Sequence, residues 1–357
     1  MLTRIWTRNL ACFGDAEYHI DLAPETVIIG PNNVGKSAMI AAFNFLRSNP
    51  LGFGRVQFVP QWDTTTYNWG DFHSIVHRHE DDRTIGIGAT LKDTNWDFEI
   101  AAKLTKDVGE STLQTPSERS GRELAEASLR RELAGIWYLG ASRSGIPRQL
   151  QVGRSGYDTA WHQPIESDGS NAITYLLERF TSRDHRWAIA EDWLRHITPE
   201  ASILKSPLRG NLASVETTDR DFAIDVNIAY QGTGIQKVLS TIAALVFSPE
   251  GSTIIIEEPE INLHPRSQEV LVDLFNLAVN DWKKQVIFTT HSWDMLQPFA
   301  SDIATGSPRG AVHVRARPEN FKLIVFNRVG DDIKIEELPI KGKEYMYLRD
   351  YLKKLWG

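Results

Sequence analysis

The stretch Gly30-Pro31-Asn32-Asn33-Val34-Gly35-Lys36-Ser37 constrains this chain more than any other. It is a complete G-x-x-x-x-G-K-S loop, preceded at once by the apolar run Val27-Ile28-Ile29 and followed by an apolar-periodic segment from Ala38 to Leu46. The first pattern reads as a buried strand and the second as a helix. Strand, glycine loop and helix form the first half of a parallel α/β unit. Glycines let backbone N–H groups turn inward around phosphate oxygens, and the helix N-terminus adds its dipole. In such a loop residues Gly30 to Ala38 cradle a nucleotide, Lys36 bridges the β- and γ-phosphates, and Ser37 ligates Mg²⁺. ATP and Mg²⁺ are therefore the expected ligands.

Four later motifs extend this reading. Thr253-Ile254-Ile255-Ile256 runs into Glu257-Glu258-Pro259-Glu260, an apolar strand ending in carboxylates. A buried parallel strand delivers its last residues to the sheet edge where a phosphate loop also sits. Glu257 is expected in the Mg²⁺ shell, and Glu258 is expected to polarise the attacking water. Gly232-Thr233-Gly234-Ile235-Gln236 opens an apolar helix just ahead of that strand. Thr233 there offers a hydroxyl, while Gly232 and Gly234 permit close backbone approach. Thr289-Thr290-His291-Ser292 ends the next strand and places His291 as a γ-phosphate sensor. Asn262 and His264 follow Glu260. In ABC-type ATPases, which this order of motifs resembles, the loop there crosses the dimer interface. Asn262 could thus touch the opposite site, while His264 is as readily a local structural residue.

The predicted strands are Leu2 to Asn9, Tyr18 to Leu22, Thr84 to Leu91, Trp96 to Leu104, Phe222 to Ala229, Gln285 to Thr289, Lys322 to Arg328 and Asp332 to Leu338. Helices are expected over Arg119 to Leu133, Asn171 to Trp193 with a turn inside, Ile235 to Phe247, Arg266 to Asn280 and Tyr345 to Leu355. Gly109 to Gly121 and Gly145 to Gly169, rich in Gly, Ser and Pro, read as loops. The expected organisation is one domain over 1–357. Its core segments are 1–50 and 222–300, an inserted α/β lobe spans 51–221, and a strand–helix tail spans 301–357.

With 41% hydrophobic and 24% charged residues the chain is globular in composition. A net charge of −7 gives the whole molecule no electrostatic footprint for nucleic acid. Arg143, Arg148 and Arg154 lie in a stretch without acidic residues, and could meet phosphates, reach ATP across a dimer, or equally belong to an exposed polar loop. Cys12 is the single cysteine, so neither an intrachain disulfide nor a cysteine-rich zinc site can form. The start lacks the apolar region of a signal peptide, and the longest apolar stretch, Ser240 to Phe247, is too short to span a bilayer. A cytoplasmic location without membrane partners is the expectation.

The ordered set Gly30–Ser37, Gly232–Lys237, Ile254–Pro265 and Thr289–Ser292 resembles the SMC/RecF/OLD class of ABC-type ATPases. The E-E-P-E-I-N-L-H-P run, the G-T-G-I-Q-K variant and the T-T-H-S ending are similar to its OLD-like branch ("overcoming lysogenization defect"). So are Tyr138-Leu139-Gly140-Ala141-Ser142-Arg143 with Pro147-Arg148, and Asp168-Gly169-Ser170-Asn171-Ala172. The resemblance implies a mixed α/β sheet and a head-to-tail homodimer, or a higher even-numbered oligomer. Two ATP molecules would each lie between the loop of one subunit and Gly232-Thr233-Gly234 of the other. It also implies a glutamine-loop element near Asp71 to His77, for which Gln57 and Gln61 are the available glutamines.

No sustained heptads announce a long coiled coil, and no Glu plus Asp-x-Asp set announces a Toprim nuclease, so no nuclease activity is expected. The expected role is an ATP-driven sensor, switch or scaffold for a separately encoded effector, such as a nuclease or toxin, in anti-phage defence. The alternative is a RecF-like ATPase that binds DNA directly in repair or maintenance.

Overall fold

The computed structural model describes residues 1–49, 54–62, 69–93, 97–114, 122–143, 146–151, 164–209, 212–219, 223–305, 316–338 and 350. The chain divides into two compact units, Met1–Leu133 with Pro318–Gly357, and Ala134–Arg317.

In the first unit, six strands form an antiparallel sheet. Their spatial order is Tyr18–Asp21, Leu2–Arg8, Ile85–Lys92, Asp97–Leu104, Gly109–Gln114 and Gly54–Phe58. Alternation sets its two faces: Phe98, Ile100, Ala102 and Leu104 point into the core while Asp97, Glu99 and Lys103 face water. Gly109–Gln114 is a strand, where the glycine and serine content suggested a loop. An ideal Cβ at Gly109 would lie 2.4 Å from the Phe58 ring, so the glycine admits a cross-strand aromatic. Glu25–Ile29 pairs in parallel with Phe321–Val329, which turns back antiparallel onto Asp332–Leu338, and the sheet is mixed. All five residues of Glu25–Ile29 are buried, as a strand covered on both faces requires. The helix that follows it, Lys36–Ser48, starts two residues earlier than its apolar period suggests, and so takes in Lys36 and Ser37.

The second unit is built on three parallel strands, Ile136–Leu139, Thr253–Glu257 and Gln285–Thr290. Every residue of the three is buried. Burying each of Ile254, Ile255 and Ile256 contributes about 2 kcal/mol, which outweighs the modest β preference of the sequence itself. The helices Thr233–Phe247 and Pro265–Asn280 follow, the second started by Pro265 and capped by His264 Nδ1, which accepts from the Arg266 N–H at 3.2 Å. The predicted helix pair over Asn171 to Trp193 is present as Ala172–Thr181 and Arg186–Ile197. The strand expected over Phe222 to Ala229 shortens to Asp225–Asn227. There the Asn227 side chain accepts from the Ala229 N–H at 2.9 Å and turns the backbone into a 3₁₀ helix, Ile228–Tyr230. Arg154, most of the Gly145 to Gly169 loop and most of the Tyr345 to Leu355 helix lie outside the described residues.

Lys284 gives this unit a pH signature. Its side chain is buried with Nζ on the Leu245 carbonyl, and burial, then nearby Arg186, pushes its pKa down to about 7. Unfolded, the amine keeps its proton up to about 10.5. Between these values the unfolded chain binds more protons, so stability rises with pH across that window. Lys284→Met removes the penalty. In denaturant titrations its gain over the parent should be largest below pH 7 and shrink toward pH 10.

Candidate nucleotide site

The first unit holds the phosphate loop. Asn33 (φ +62°) and Gly35 (φ +89°) adopt left-handed conformations, which Asn tolerates and Gly takes without cost. Gly30 sits against Phe326, whose carbonyl oxygen would lie 2.5 Å from an added Cβ. Gly35 is backed by Cys12 and Phe13, both with atoms 2.6 Å from such a Cβ. That backing is itself clipped in place: the Ala11 N–H donates to Ile75 at 2.6 Å, and His77 Nδ1 lies 2.9 Å from the Ala11 carbonyl. Lys36 is buried, and its Nζ donates to the carbonyls of Gly30 (2.8 Å) and Pro31 (2.7 Å). Its stem and charge therefore tie the two ends of the loop together. Asn32, Asn33 and Ser37 are exposed at the mouth. Asp71 caps the short helix Phe72–Ile75 through the Ser74 N–H. Gln57 and Gln61 are exposed.

The second unit holds the carboxylates. Glu257 ends its strand opposite Thr289, buried, and its Oε1 accepts from the Tyr138 hydroxyl at 3.1 Å. Glu258 turns into the left-handed region at φ +45°, held by bonds from its N–H to the Thr289 carbonyl (3.0 Å) and hydroxyl (3.2 Å). The turn lifts Glu258 out of the strand, so that Oε1 lies 3.3 Å from His291 Nε2 with both side chains part-exposed. Glu260 anchors the histidine loop: its Oε1 accepts from the Thr290 hydroxyl (2.7 Å) and the His291 N–H (2.8 Å). Gly232 and Thr233 are exposed at the start of the Thr233–Phe247 helix, whose dipole suits an anion. Among the described residues no group of three or more His, Cys, Asp or Glu could hold a metal.

Arg143 corrects an expectation. It is no surface arginine for DNA or for a partner's ATP: it is 1% exposed, and Nη1 donates to the carbonyls of Gly140 (2.8 Å), Glu257 (2.8 Å) and Leu139 (3.3 Å). Burial pushes its pKa down to about 10, against the upward pull of Glu257, Glu260, Tyr138 and Glu258. Lys237 lies beside it, donating to the Ala141 carbonyl at 2.9 Å, its pKa also lowered by burial and then by Arg143. Only the run Tyr138 to Arg143 itself signals this pillar in the sequence. Arg143→Leu should cost about 3 kcal/mol, because it strands three carbonyls and a set of buried acids. Calorimetry should show a lower melting temperature, and an unchanged one would deny Arg143 that role. Arg148 instead stacks over the Tyr230 ring, 4.7 Å from its centroid.

Comparison with known proteins bears on the family and the fold. Residues 26–294 match the family described as "AAA domain, putative AbiEii toxin, Type IV TA system". The chain is 22% identical over 329 residues to an OLD nuclease of Thermus scotoductus, covering 82% of this chain and 59% of that protein. It thus spans about three-fifths of that relative's length. Among solved structures it is similar to an Smc head bound to the C-winged helix domain of ScpA. The TM-score is 0.64 at 12% identity, over 95% of this chain and 98% of that one. It is also similar to an Smc head with an extended coiled coil bound to the C-terminal domain of ScpA from Pyrococcus furiosus. Here the TM-score is 0.59 at 11% identity, over 99% of both chains. At such identities the structural likeness speaks for the fold, an ABC-type head. The match over residues 26–294 places the chain in that AAA-domain family, as an OLD-like P-loop ATPase of the ABC type.

Proposed function

We propose that the chain binds and hydrolyses ATP with Mg²⁺, dimerises head to tail around the nucleotide, and uses this cycle as a switch for a separately encoded effector. The observation that carries hydrolysis is the pair Glu258 and His291, a carboxylate and an imidazole 3.3 Å apart at the ends of adjacent parallel strands. The left-handed turn at Glu258 is costly for a non-glycine residue, and such strain collects at functional positions.

In this reading Gly30 to Ala38 hold the phosphates, and the Lys36 ammonium neutralises β- and γ-oxygens. Glu258 takes the proton of the attacking water, and His291 orients that water or the γ-phosphate. Ser37 and Glu257 would hold Mg²⁺, which would polarise the phosphates. The residues fit that ion: a buried carboxylate tethered by Tyr138 and an exposed hydroxyl at a helix start are oxygen donors only. Thr233, exposed with Gly232, would reach the nucleotide held by a second copy.

A nuclease or toxin effector in anti-phage defence is the role that suits an OLD-like ATPase, and a cytoplasmic setting goes with it. Among the described residues no helix is long and apolar enough to cross a membrane. The test is phosphate release by the purified chain together with its mass by light scattering. Mg²⁺-dependent turnover and a doubled mass in ATP support the reading, and neither appearing would end it.

A further inference from the structure

The exposed hydroxyl of Thr233 is not left to rotate. Asn262 Nδ2 donates to Thr233 Oγ1 at 2.8 Å, across 29 residues of chain. Asn262 is itself placed by a left-handed backbone (φ +65°), with the Leu263 N–H bonded to Glu260 at 3.0 Å. Its carbonyl presses on the neighbouring glycine so closely that a Cβ at Gly234 would lie 2.4 Å from it. The loop after the carboxylates and the start of the Thr233–Phe247 helix thus meet through one hydrogen bond and one close backbone contact.

A hydroxyl has one proton to give and two lone pairs to offer. An amide N–H on Oγ1 occupies a lone pair and repels the hydroxyl proton, which then points away from Asn262. We propose that Asn262 is a positioning residue that fixes Thr233 as a hydrogen-bond donor to an anionic phosphate oxygen of ATP held by a second copy of the chain. The inference rests on the reading of Gly232-Thr233-Gly234 as the trans half of the nucleotide site. Asn262 faces its own chain's Thr233, where its position alone suggested a contact with the opposite site. An aspartate at 262 keeps the size and tolerates the left-handed backbone. It can only accept, so it would turn the hydroxyl proton inward and leave oxygen lone pairs toward the phosphate.

The experiment uses the full chain carrying Glu258→Gln, so that ATP persists, and reads by light scattering the ATP concentration that half-saturates dimer formation. Thr233→Ala should raise it about tenfold, the loss of one hydrogen bond to a charged group, and Thr233→Ser should restore it. Asn262→Ala should raise it about threefold, and Asn262→Asp by more than Asn262→Ala. With Thr233 already Ala, Asn262→Asp should add little, because no hydroxyl remains to misdirect. If Thr233→Ala leaves the half-point unchanged, the trans reading of Thr233 falls, and this inference with it. If Thr233→Ala shifts it but Asn262→Asp matches the parent, or costs as much without the hydroxyl as with it, Asn262 does not position Thr233.

Discussion

Glu258→Gln should lower ATP turnover by about a thousandfold while leaving ATP binding intact. The amide keeps the shape of the carboxylate but cannot take a proton from water. The turn that presents it depends on backbone bonds to Thr289, which the substitution does not touch. Binding depends on the loop of the other unit, so the variant should hold ATP and remain associated long after the parent has released it. Phosphate release, a fluorescent ATP analogue and light scattering report the three properties separately. A variant that hydrolyses like the parent would remove Glu258 from the role of base.

Lys36→Ala should weaken ATP binding about a hundredfold, and turnover should vanish with it. Two losses combine. The ammonium charge disappears from the phosphates, and the tie between the Gly30 and Pro31 carbonyls is cut. Lys36→Arg does not rescue, because a planar fork cannot place its donors where a compact, buried ammonium sits. Isothermal titration with ATP checks both variants. The fold should persist in each, since the glycine backing by Phe13, Cys12 and Phe326 is independent of the lysine side chain.

What was legible in the sequence was local. The phosphate loop, the buried isoleucine strand and the carboxylate and histidine endings each sit within a few residues, with periods that betray strand and helix. The pairing of Glu258 with His291 then follows from the parallel register that sets Glu257 opposite Thr289. What escaped was non-local. Gly109 reads as a loop residue until Phe58, on a strand far away in sequence, is seen to need the space. Arg143 reads as exposed because arginines usually are, and only its bond to the Glu257 carbonyl, 114 residues on, explains its burial. The hydrogen bond between Asn262 and Thr233 likewise joins two loops that the sequence keeps apart.

The head-to-tail composite site is tested most directly by mixing two dead variants, Lys36→Ala and Thr233→Glu, the second of which sets a carboxylate against the phosphates. Each alone spoils both sites of a symmetric dimer. A mixed dimer, however, pairs one intact phosphate loop with one intact threonine in one of its two sites. On mixing equal amounts, turnover should return to about a quarter of the parent rate, as random pairing of two-fold dimers requires. Turnover that stays at the level of the separate variants, with mixed dimers shown to be present, would contradict a site shared between two copies of the chain.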